Sequence, residues 1–127
     1  MNDNQYLKHN LSVLEAFSAA LATRTRELPD GHPLHELARE FQALGEAQTN
    51  LYPRGHALVA RLFNTFTDFA PTFPRSLLWF FGGDCLHYLT DEEISQFQQL
   101  DELRLAAAER GEVLDLEQAR ATTDTLH

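Results

Sequence analysis

The sequence predicts an all-α, single-domain bundle of five or six helices, built on an N-terminal antiparallel helical hairpin. Three observations predict it. Apolar residues recur at alternating steps of three and four through most of the chain, which is the spacing of one helix face. The breaks between these stripes are short and rich in Pro and Gly, the residues that end helices and shape turns. The chain has 127 residues and one cysteine. A chain of that size buries about two-thirds of its unfolded surface and needs no disulfide or metal to fold.

The first thirty residues read as one helix with Leu7, Leu11, Leu14, Ser18, Leu21, Thr25 and Leu28 on its inner face, widened by Phe17 and Ala20. Pro29-Asp30-Gly31-His32-Pro33 stops it and starts the next, because Pro33 suits a first helical turn. The second stripe runs through Leu34, Leu37, Phe41, Leu44, Gln48 and Leu51. So short a connection favours antiparallel neighbours. Tyr52-Pro53-Arg54-Gly55 is expected to break or kink this helix. A third helix follows from about His56 to Ala70, with Val59, Leu62, Phe63, Phe66 and Phe69 on its apolar side, and Pro71 and Pro74 bracket the next break.

Residues 76–89 admit two readings. Gly82-Gly83 between apolar runs suits a two-residue hairpin turn. Helical spacing sorts the side chains better: it sets Leu78, Phe81, Gly82, Cys85, Leu86 and Leu89 on one face and Asp84, His87, Tyr88 and Asp91 on the other. On that reading the glycines allow a neighbouring helix to approach closely. The next start is clear. Thr90 and Glu93 form a capping box, Leu89 and Ile94 occupy the staple positions, and Asp91, Glu92 and Glu93 fill the first turn, where the helix dipole favours negative charge. This helix carries Ile94, Phe97, Leu100 and Leu103 inward and ends near Gly111. Asp115 reads as the cap of a short helix over Leu116–Ala121. The domain is thus expected to span 1–121, with 122–127 as a frayed tail.

The net charge of −9 is unevenly placed. Residues 1–75 carry seven Lys/Arg against eight Asp/Glu, whereas 76–127 carry three against eleven. An acidic chain without a basic stripe disfavours nucleic acid. The N-terminus lacks a signal-peptide pattern and the longest strongly apolar run, Leu77–Phe81, is far too short for a membrane span. A cytoplasmic protein with neither a membrane nor a nucleic-acid partner is expected.

The chemically suggestive residues cluster between Phe81 and Glu93. Cys85 is a candidate nucleophile, but on a helix His87 points about 200° away from it, so a buried structural thiol is the plainer reading. Asp84, His87 and Tyr88 share a helix face, and Asp84 can orient His87 as a base or ligand. A polar surface pair is the simpler account. His32 and His35, beside Asp30 and Glu36, are candidate zinc ligands that need a distant partner. None of the six histidines is preceded at three residues by Glu, so no bundle di-iron motif is present. No cofactor and no resident metal are expected.

Six of the nine phenylalanines and the sole tryptophan lie between Phe63 and Phe81. Leu77–Phe81 is apolar all round, and a helix of that kind must be covered on every side. Trp79 and Phe80 are therefore the expected homodimer contacts, with the Leu7, Leu11, Leu14 and Leu21 stripe as the next surface. The functional expectation is a non-enzymatic helical interaction or regulatory module that forms a homo-oligomer and meets a further protein partner. The alternative is a small enzyme or ligand-binding protein with its site around Asp84, His87 and Tyr88.

Overall fold

In the computed structural model, which describes residues 3–111, five α-helices follow in order: α1 (Asp3–Thr25), α2 (Pro33–Ala47), α3 (Leu51–Thr65), α4 (Arg75–Phe81) and α5 (Asp91–Glu109). Two 3₁₀ segments, Thr67–Phe69 and Gly83–Tyr88, flank α4, and there is no strand among the described residues. The helix expected at 116–121 and the expected tail lie outside the described residues. The described residues divide into two compact units: Asn10–Tyr88, and residues 3–9 with 89–111.

In the larger unit α1 and α2 form the expected antiparallel hairpin. Leu14 lies against Gly45 and the ring of Phe17 meets that of Phe41 edge-on at 5.4 Å, so the pairing descends α2 as it ascends α1. Of the expected inner stripe of α1, Leu14, Ser18, Leu21 and Thr25 are buried and Leu7 and Leu11 half-buried, while Leu28 falls beyond the helix, which ends at Thr25. The two hydroxyls are tolerated because each bonds the preceding turn: Ser18 Oγ donates to the Glu15 carbonyl at 3.0 Å and Thr25 Oγ1 to that of Leu21 at 2.9 Å. Ala20 does not widen this stripe, since it is exposed.

The break between the second and third helices comes earlier than the prolines suggest. Gln48 and Asn50 both take left-handed backbone conformations, and α3 starts at Leu51. Pro53 then falls in the first turn, where the missing N–H would have no intrahelical acceptor in any case. Gln48 therefore ends α2 instead of extending its stripe. Gly55 lies buried within α3, and a Cβ there would collide with the ring of Phe81.

Neither reading of 76–89 survives intact. The chain is helical on both sides of Gly82-Gly83 but is not one helix, because both glycines have positive φ (65° and 53°). Gly82, with ψ −156°, sits in a region essentially reserved for glycine. At Gly83 a Cβ would also stand 2.8 Å from the ring of His56. The His56 Nε2 in turn hydrogen-bonds the Phe81 carbonyl at 2.7 Å, which ties α3 to the end of α4.

In the smaller unit the capping box is present as expected. Thr90 Oγ1 accepts from the Glu93 amide at 3.1 Å, and Glu93 Oε1 accepts from the Thr90 amide at 3.1 Å. Thr90→Ala is expected to cost about 1 kcal/mol by orphaning that amide, measured as a lowered urea midpoint; an unchanged midpoint would remove the cap's role. Phe97 and Leu100 are buried on α5, but Leu103 is 46% exposed and Leu105 54%. The inward stripe expected through Leu103 instead passes from Leu100 to half-buried Arg104 and buried Ala107. The Arg104 guanidinium lies over the Tyr6 ring, 4.3 Å from its centre.

Candidate functional site

Residues Gly83–Tyr88 coil as a 3₁₀ helix, which has three residues per turn rather than 3.6. That difference rearranges the expected constellation. At three per turn, Asp84 and His87 share one side while Cys85 and Tyr88 share another. Asp84 and His87 are exposed, whereas Cys85 is buried and Tyr88 half-buried with its ring edge-on to Phe63 at 4.6 Å. No hydrogen bond or ion pair joins Asp84 to His87 among the described residues. Asp91, the fourth member of the expected face, opens α5 instead.

Cys85 is 1% exposed and free. Burial, with a further contribution from the Asp84 carboxylate, pushes its thiol up to about 11. A nucleophilic cysteine needs the opposite shift, so at neutral pH this thiol is protonated and packs as a small apolar group. An arginine that the sequence did not mark secures the segment. Arg75 donates to the carbonyls of Ala70 at 2.8 Å and Tyr88 at 2.7 Å, and so fastens both ends of α4's surroundings together.

The two candidate zinc ligands have separate tasks. His32 caps α2, its Nδ1 accepting from the Leu34 amide at 3.2 Å while its ring stacks on Phe66. His35 is mostly covered, with Nε2 4.0 Å from the Asp30 carboxylate, which also accepts from Arg39 at 3.3 Å. Among the described residues no three His, Cys, Asp or Glu side chains gather in a way that could hold a metal ion.

The aromatic segment is covered largely by its own chain. Phe80 is 7% exposed and rests against Tyr52, ring centres 5.3 Å apart, and Phe81 is buried against Gly55. Trp79 is half-buried. Leu14 and Leu21, from the other expected surface, are spent inside the hairpin at 0% and 1% exposure.

Two grooves flank α1 instead. One, of about 330 Å³, lies between α1 and α2 and is mixed in character, with Glu15, Ser18, Gln42 and Glu46 beside Ala19 and Gly45 in its walls. The other, of about 380 Å³, runs along the opposite side of α1 toward Phe69, Thr72 and Pro74. Its α1 wall is Val13, Ala16, Phe17, Ala20 and Leu21, and Arg24 is the one charged residue lining it. The Arg24 guanidinium lies over the Phe69 ring, 5.1 Å from its centre. The sequence signal for this groove was present in Ala16 and Ala20, small residues outside the leucine stripe, but that spacing alone does not distinguish a groove from a packed face.

Among the described residues no helix is long and apolar enough to cross a membrane. The PA2817-like family model matches residues 2–125, and the chain belongs to that family. No curated protein and no solved structure matches it.

Proposed function

We propose that this member of the PA2817-like family is a non-enzymatic helical interaction module that acts in the cytoplasm by self-association. The observation that carries this reading is the contrast between the two kinds of candidate surface. The side chains able to do acid–base or nucleophilic work are divided: Asp84 and His87 face solvent without a mutual bond, and Cys85 is buried and protonated. The groove beside Phe69, by contrast, is predominantly apolar and presents Ala16 and Ala20 to solvent. Exposed apolar grooves on small proteins are the usual ground for protein contacts.

Electrostatics favours a contact through this part of the chain. A contact that uses residues 1–75 of at least one copy, with seven Lys/Arg against eight Asp/Glu, avoids opposing two strongly acidic segments. The single free cysteine accords with a reducing compartment, and the acid excess argues against nucleic acid.

The test is sedimentation velocity on the full chain across the micromolar range. A sedimentation coefficient that rises with concentration is expected. A monomer throughout that range would overturn the proposal.

A further inference from the structure

We infer that the Phe69-side groove of one copy receives helix α5 of a second copy, with Leu105 seated between Ala16 and Ala20 and a flanking carboxylate on Arg24. This deepens the self-association reading and rests on it.

The receiving side is defined by charge as well as by shape. Arg39, Arg61 and Arg104 each lie beside a carboxylate of the chain. Arg24, like Arg26 and Arg54, makes no ion pair among the described residues, and of these three it is the one that lines the groove. Its guanidinium is held on the Phe69 ring at one end of an otherwise uncharged groove. From Val13 to Arg24 the groove follows three turns of α1, about 16 Å, long enough to meet a helix along two to three of its own turns. Such a site suits an acidic helix that offers one exposed apolar anchor close to a carboxylate.

The chain carries that element. Leu105 is 54% exposed on α5, and Glu102 and Glu109, three residues before it and four after, are exposed too. Side chains at those spacings share a helix face. Because a carboxylate flanks the leucine on both sides, one of them reaches Arg24 whichever way α5 runs along the groove. Ala108, also exposed on that face, leaves room for the α1 backbone to come close.

The test compares the wild-type chain with Leu105→Gln, Arg24→Glu, and Arg24→Glu combined with Glu102→Arg and Glu109→Arg, by sedimentation velocity. All four side chains are exposed, and unchanged thermal unfolding would confirm that the variants remain folded. Each single variant is expected to weaken association about tenfold or more, which is the loss of one seated leucine or one close charge pair. The charge-swapped combination is expected to recover most of that loss, since only a direct pairing of these residues is restored by exchanging their signs. Wild type that associates while both single variants match it would overturn this inference and leave self-association standing. Wild type that stays monomeric would overturn both.

Discussion

Phe73→Ala is expected to destabilise the fold by about 3–5 kcal/mol. Phe73 belongs to no helix: it lies in the connection between Thr67–Phe69 and α4, one residue before Pro74. It is nonetheless 1% exposed. Its ring meets Phe17 at 4.7 Å and Phe63 at 5.4 Å, both edge-on, and Phe41 lies at 6.3 Å. One loop side chain thus joins rings from α1, α2 and α3. Truncation leaves a void whose walls belong to three helices already packed on one another, so collapse cannot fill it and the cavity term adds to the lost transfer energy. Against a total stability of about 5–15 kcal/mol for an ordinary domain, this is a large fraction. Urea titration is the measurement, with Phe73→Leu as the control that keeps most of the volume and loses less. A Phe73→Ala loss under about 1 kcal/mol would place the ring outside the core.

Gly55→Val is expected to cost about 3 kcal/mol, at the upper end of ordinary overpacking. In an open helix the replacement of glycine would be favourable, since an interior glycine costs about 1 kcal/mol relative to alanine. Here the sign reverses, because the space a Cβ needs is taken by the Phe81 ring, itself only 3% exposed and unable to swing into solvent. Gly55→Ala should show a smaller loss of the same sign. Introducing Phe81→Leu into Gly55→Val should recover part of the stability, so that the double variant is better than the sum of the two single losses. Additive losses in the double-mutant cycle would sink the explanation.

Both residues mark the boundary of what the sequence carries. The helical hairpin was legible because Leu14, Ser18, Leu21, Leu37, Phe41 and Leu44 repeat at the helix period, and burial follows that period wherever one face of a helix is covered. The capping box at Thr90 was legible for a related reason: its two hydrogen bonds span three residues and depend on nothing outside the first turn of α5. Where the determining interaction is this local, residue identity and spacing are sufficient.

Tertiary structure decided the rest. Gly55 looked like part of a helix break and is instead the point where α3 admits a ring from α4, a fact that resides in Phe81, twenty-six positions away. Gly82 and Gly83 carried the signature of either a hairpin or a close crossing, and their backbone angles select a third outcome, a joint between two helical segments. That joint determines the candidate site. Beyond it the chain coils at three residues per turn, and the face on which a regular α-helix would have gathered Asp84, His87 and Tyr88 is divided between solvent and core. Arg75 holds the segment's last residue, Tyr88, and His56 holds Phe81 just before the joint. Periodicity alone fixes neither the turn nor the anchors, because both depend on side chains brought together only when α3 and α4 pack.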